Sequence, residues 1–202
     1  MRILTALLTI LLWSCGSVRQ PERSPSDIVD LRSIDPTFVL DIRYATEDNF
    51  TKKVLYPVAA AKLRRVAAES LASAQRELRS MGLGLKIFDG YRPLSIQWKL
   101  WEIVPDPDFV ADPRKGSKHN RGAAVDLTIV DSLGNELEMP TGYDDFTERA
   151  SHEYTALSEQ VLANRALLLD VMTRHGFRPI KSEWWHYDFN GWEQFPLMDE
   201  PF

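Results

Sequence analysis

The sequence predicts an α+β fold, a small central antiparallel sheet flanked by helices. Three observations lead there. Helical and strand patterns both occur, but not in the strict βαβ alternation that builds a doubly wound sheet. The strand candidates are short and separated by turn residues. The 202 residues, 44% hydrophobic and 26% charged, are enough for one domain with a buried core and too few for two.

The chain opens MRILTALLTILLWSC. Arg2 precedes an apolar run from Ile3 to Trp13, interrupted only by Thr5 and Thr9. A membrane-spanning helix needs about 20 residues, so this run fits the apolar core of a secretory signal instead. It ends in Leu12-Trp13-Ser14-Cys15-Gly16, which resembles the lipobox of bacterial lipoproteins, with Trp13 where a small residue is usual. The expectation is a signal peptide over 1–14, a lipidated Cys15 and a polar tether over 15–27, leaving one domain over 28–202. The protein would then be exported to the periplasm and would meet a membrane only through the lipid. The plainer alternative is an ordinary signal with a bystander cysteine.

Within the domain, residues 58–81 read as the longest helix. Leu63, Val66, Ala67, Leu71, Ala74, Leu78 and Met81 recur at 3–4 spacing, and Gly82 ends the run. Pro93 suits the first turn of a second helix over 93–102. A third is expected over 153–175, with Gly176 as its cap. Strands are expected at 86–88, 123–130 and 184–189, and a weaker one at 177–180. Asp131 to Asn135 reads as a turn, so 123–130 would pair with 136–139 as a hairpin. The tryptophan pairs Trp98/Trp101 and Trp184/Trp185 read as core.

A net charge of −5 gives no support to nucleic-acid binding. The single cysteine excludes a disulfide framework and a Cys-rich zinc finger. Four histidines remain, so a transition-metal site must draw on His119, His152, His175 and His186 together with carboxylates. His175, just before Gly176, suits a helix C-terminus, where positive charge is favourable. His152 has no evident role.

Two segments concentrate the chemistry. In Gly116-Ser117-Lys118-His119-Asn120-Arg121-Gly122-Ala123-Ala124-Val125-Asp126, a glycine-bracketed loop carries His119 into a strand. There Val125, Leu127 and Ile129 share one face and Asp126 takes the other. A mid-strand carboxylate is costly if buried without a partner; a hydrogen bond to a loop would be the plainer explanation. In Glu183-Trp184-Trp185-His186-Tyr187-Asp188-Phe189, Glu183 and His186 are an odd number of residues apart. They reach one site only if Glu183 lies in a turn before the strand, or if a bulge intervenes. Together the segments offer two imidazoles, one ligand carboxylate and one further carboxylate. A catalytic zinc site needs three protein ligands and a position open to water.

The stretch Ser117-x-His119-x-x-Gly122-x-Ala124-x-Asp126 with Glu183-x-Trp185-His186 resembles the zinc D-alanyl-D-alanine dipeptidases, the VanX-like group. Arg43 to Thr51, Asp89-Gly90-Tyr91-Arg92-Pro93 and Asp144-Asp145-Phe146 extend the likeness over roughly 28–190. The resemblance implies one zinc ion per chain held by His119, Asp126 and His186. It implies Glu183 as general base and Arg92 as the group that stabilises the developing oxyanion. It also implies that Asp144 or its neighbour Asp145, with Tyr56, holds a substrate ammonium, that Ser117 hydrogen-bonds near the substrate, and that Tyr44 borders the pocket. Without it, Arg92 would read as a surface arginine before a helix.

The expected function is therefore zinc-dependent hydrolysis of D-alanyl-D-alanine in cell-wall peptide turnover. A zinc D,D-carboxypeptidase acting on longer wall peptides and a non-enzymatic wall-binding lipoprotein are the alternatives.

Overall fold

The computed structural model describes residues 24–107 and 109–202. The expected signal, Cys15 and most of the tether lie outside them. A five-stranded sheet runs in the order β2-β4-β5-β7-β6. Its strands are β2 Val39–Leu40, β4 Leu83–Asp89, β5 Ala124–Asp131, β6 Phe177–Pro179 and β7 His186–Phe189. Every pairing is antiparallel except the edge pair β2 and β4, which is parallel. A separate ribbon joins β1 Ile28–Asp30, which leads into the short helix α1 (Leu31–Ile34), to β3 Lys62–Arg64. The class is the α+β one the sequence predicts.

Alternation on β5 divides the molecule. Val125, Leu127 and Ile129 enter the apolar core, beneath helix α2 (Arg65–Ser80) and helix α4 (Glu159–Arg174). Ala124, Asp126 and Thr128 are equally buried on the opposite face. Across that face Asp126 pairs with Asp89 of β4 and with His186 of β7. A bulge makes the first pairing possible. Ile87 pairs with Leu127, then Phe88 is passed over and Asp89 meets Asp126. Without the extra residue the pairing partner would be Phe88.

Both long helices start later than the periodicity suggests. Residues 62–64 are taken by β3, where Leu63 is fully buried against the core, so α2 begins at Arg65. Helix α4 begins after Ser158, whose hydroxyl accepts from the Val161 amide. Residues 151–157 are turn and irregular backbone, fastened by the His152 amide to the Lys181 carbonyl. The expected hairpin shrinks to a bridge between Val130 and Glu136, although the turn at Asp131 forms, with that carboxylate capping the amides of Leu133 and Asn135. Trp98 is a correction. It is 41% exposed on α3 (Leu94–Ile103), whose buried side is Ile96, Gln97 and Leu100. Trp184 and Trp185 are core, as expected. His175 ends α4 and reaches Glu77 of α2 at 2.7 Å. Burial, with Arg165 nearby, lowers the His152 pKa to about 4, and its ring lies edge-on to Tyr187.

The C-terminal tail lies against the loop that carries His119. The Met198 amide donates to the Asn120 carbonyl, the Leu94 amide to the Met198 carbonyl, and Tyr91 Oη to the Glu200 carbonyl. Gly116, at φ +76°, is packed so closely on Leu197 that a side chain there would collide.

Candidate metal centre and active site

Three side chains converge on the polar face of the sheet. Asp126 comes from mid-β5, His186 from the first position of β7, and His119 from a 3₁₀ turn, His119–Arg121, closed by Gly122 at φ +66°. His119 Nε2 lies 3.2 Å from His186 Nδ1, and Asp126 Oδ1 is 3.3 Å and 3.0 Å from those atoms.

The outer nitrogens of the two rings fix which lone pairs face inward. His119 Nδ1 meets the Gly90 carbonyl at 2.7 Å. A carbonyl only accepts, so that nitrogen carries the proton. His186 Nε2 meets the Asp188 carboxylate at 2.8 Å, with the same consequence. In the neutral rings, His119 Nε2 and His186 Nδ1 therefore turn lone pairs toward a carboxylate oxygen. Three acceptors converging in a buried pocket call for positive charge among them, which a bound metal ion or a proton on His186 can supply. A tetrahedral zinc with ligand bonds of about 2.0–2.1 Å has ligand-to-ligand edges of about 3.3 Å, and the three separations match. Gly90 and Asp188 are the outer partners that fix ring orientation in such sites. Asp188 was missed in the sequence, although a residue two places from His186 on a strand shares its face.

Charge follows the geometry. Burial opposes ionisation of Asp126, but the two facing imidazoles outweigh it and hold the carboxyl well below the usual range. Burial also opposes a charged His186, but Asp126 and Asp188 raise its pKa to about 10. Glu183 sits in the turn before β7, its Oε2 3.9 Å from His186 Nδ1. The turn resolves the odd spacing. Burial, only partly offset by His186, pushes the Glu183 carboxyl up to about 7.

Arg92 is held firmly. Asp89 Oδ2 accepts from its Nε at 3.0 Å and its Nη2 at 2.7 Å, and Gln97 Oε1 accepts from Nη1 at 2.9 Å. The Arg92 amide donates to the His119 carbonyl, and Asn120 Nδ2 donates to the Arg92 carbonyl. The guanidinium thus moves with the metal loop. Asp89, Gln97 and Asn120 were given no role from sequence. Asp89 belongs to the Asp89-Gly90-Tyr91-Arg92-Pro93 stretch, but only the bulge reveals where it points.

His119, Asp126, His186, Glu183 and Arg92 border a cavity of about 210 Å³ that also touches Tyr44, Ser117, Asp144 and Phe146. Asp144 sits at its edge with a left-handed backbone, φ +58°. Tyr44 Oη donates to Asp144 Oδ2 at 3.0 Å. Burial, reinforced by the charge of Asp126, raises the Asp144 carboxyl well above its ordinary value. Ser117 Oγ accepts from the His119 amide.

Two expected substrate residues stand elsewhere. Tyr56 is fully buried and absent from the cavity wall. Its hydroxyl donates to Asp89 Oδ1 at 2.8 Å and so braces the carboxylate that holds Arg92. Asp145 lines an adjoining groove of about 570 Å³, which shares Phe109, Phe146 and Glu183 with the metal cavity. Phe109 and Phe146 pack at 5.1 Å between the two spaces.

A buried two-histidine, one-aspartate centre with a carboxylate of raised pKa and a fixed arginine beside it defines a zinc metallopeptidase. The peptidase family M15 model, described as D-ala-D-ala dipeptidase, matches residues 24–200, and the chain belongs to that family. It is similar to the D-alanyl-D-alanine dipeptidase of Escherichia coli K12, 38% identical over 88% of this chain and 92% of that one. The same name belongs to relatives in Enterococcus faecium, at 33% identity, and Enterococcus faecalis, at 31%, each over 80% of this chain and 87% of theirs. Among solved structures, VanYB in complex with D-Alanine-D-Alanine is 18% identical, with a TM-score of 0.45 over 68% of this chain and 77% of that chain.

Proposed function

We propose that this chain hydrolyses D-alanyl-D-alanine to two D-alanines outside the cytoplasm, as part of cell-wall peptide turnover. The observation that carries the reading is one small cavity joining the metal triad, Glu183 and Arg92 to Asp144. His119, Asp126 and His186 would hold the zinc, which when bound supplies a Lewis acid and a water of lowered pKa. Glu183 takes the proton from the attacking water and passes it to the departing amine, a role that suits a carboxyl tuned toward neutrality. Arg92 faces the carbonyl oxygen as negative charge gathers there. Because Asp89 and Gln97 already fix it, it stabilises that charge without reorganising. An arriving ammonium offsets the burial and the Asp126 charge that oppose ionisation of Asp144, so the carboxylate accepts the substrate ammonium, with Tyr44 rather than Tyr56 as its partner, and Ser117 adds a hydrogen bond along the substrate.

A second reading, a zinc D,D-carboxypeptidase, is favoured by one feature only. The adjoining groove gives a longer peptide somewhere to lie. A non-enzymatic wall-binding role has no comparable support, because the residues required for turnover are present.

Residues 1–14 would direct export, Cys15 would carry lipid, and the tether would separate the domain from the membrane. No helix of the described residues is long and apolar enough to cross a membrane. The deciding experiment is to load the purified protein with zinc and assay free D-Ala-D-Ala beside a muramyl pentapeptide. Turnover of the dipeptide alone supports the proposal. Preference for the pentapeptide transfers it to the carboxypeptidase reading, and inactivity on both removes it.

A further inference from the structure

We infer that Tyr143 is a positioning residue that keeps Asp126 a single-oxygen metal ligand and keeps it away from Arg92. The inference rests on the metal site proposed above. Tyr143 Oη donates to Asp126 Oδ2 at 3.0 Å. The other oxygen, Oδ1, is the one that faces both imidazoles, at 3.0 Å and 3.3 Å. The two oxygens of one carboxylate are thus divided between a fixed phenol and the metal position.

The division matters because of what stands on the far side. Oδ2 lies 4.0 Å from Arg92 Nη2. With the phenol removed, Asp126 would have a buried oxygen without a donor, and the nearest charged donor would be that guanidinium. A small rotation would form the pair, since buried carboxylates seek charge-assisted partners. The rotation would draw Oδ1 off the metal and neutralise the charge needed at the oxyanion. If Oδ2 instead swung toward the metal, the ion would gain a ligand and lose its open position.

Tyr143 is rigid enough for the task. Its ring stacks on Phe88 at 4.7 Å and 20° and meets Trp185 edge-on at 5.7 Å. Phe88 is the residue passed over in the β4 bulge, so the irregularity that brings Asp89 to Asp126 also supplies the platform for Tyr143. Tyr143 does not border the cavity, so its effect on turnover is indirect.

The test is Tyr143→Phe, which keeps the stacked ring and deletes the hydroxyl. Zinc affinity is read by chelator competition, and coordination by the visible spectrum of the cobalt-substituted protein. Loss of an outer partner of a metal ligand costs roughly ten- to hundredfold in affinity, and that loss with altered cobalt bands is the expected result. Tyr91→Phe, which deletes a buried hydroxyl bonded to the tail, should leave both readouts unchanged. A Tyr143→Phe protein that binds zinc and cobalt like wild type overturns the inference. Failure of wild type itself to bind zinc would overturn the metal site instead. If the phenylalanine variant does not fold, 4-fluorophenylalanine at position 143, which fills the hydroxyl's place without a donor, replaces it; weakened zinc binding with shifted cobalt bands supports the role, and wild-type behaviour overturns it.

Discussion

Asp89 grips Arg92 at two points, through Nε at 3.0 Å and Nη2 at 2.7 Å, while neither side chain is more than 9% exposed. The arginine is therefore a fixed donor with a defined aim. A lysine can supply the charge but not the fork. Arg92→Lys should lower kcat by roughly 10²–10³, the usual cost of losing an oxyanion donor, with zinc content preserved by elemental analysis. Arg92→Ala should also unfold earlier, because it strands a buried carboxylate, at a cost of about 3–5 kcal/mol. Denaturant titration reads that loss.

Glu183→Gln should retain zinc and lose turnover by about 10²–10⁴. The glutamine keeps the shape of the cavity wall but cannot take a proton. A variant that turns over at the wild-type rate would exclude Glu183 as the base.

The pH profile follows from the same residue. In the proposed role of base Glu183 must be ionised, so activity should fall as pH drops through its pKa. Burial places that pKa at about 7 without metal, against an ordinary 4.5, and a bound dication draws it down. The acid limb of kcat/KM should therefore lie between those values and should be missing from the residual activity of Glu183→Gln.

Asp144→Asn should cost the free dipeptide roughly ten- to hundredfold in kcat/KM, since a charged hydrogen bond contributes about 1.5–3 kcal/mol. An N-acylated dipeptide, which has no ammonium, should lose nothing. Equal losses for both substrates would remove Asp144 from ammonium recognition.

Cys15→Ser should shift the protein from the membrane fraction of expressing cells to the soluble one. A wild-type protein already wholly soluble would exclude the lipid anchor.

Much of the metal centre was legible because its geometry is local. His119 is bracketed by glycines, Asp126 opposes an apolar face by strand parity, and Glu183 can share a site with His186 only from a preceding turn or across a bulge. What stayed hidden depends on partners distant in sequence. Asp89 points into the site only because Phe88 is passed over in the bulge. The family resemblance makes Tyr56 a substrate residue, but its hydroxyl lies on Asp89, 33 positions away. The late start of α2 has the same origin, since Lys62–Arg64 is claimed by a strand from the beginning of the domain. Trp98 shows the limit of composition as a guide, because neighbouring α3 positions fill the interior and leave that ring outside.

The backbone at Asp144 restricts how this enzyme can evolve. At φ +58° the position admits glycine, asparagine or aspartate with ease and few other residues. Most substitutions that would redesign the end of the cavity are therefore penalised before they meet a substrate. The unstrained exchange to asparagine keeps the shape and removes the charge. Selection for a different amino end thus has one short path open at this position and a steep slope around it.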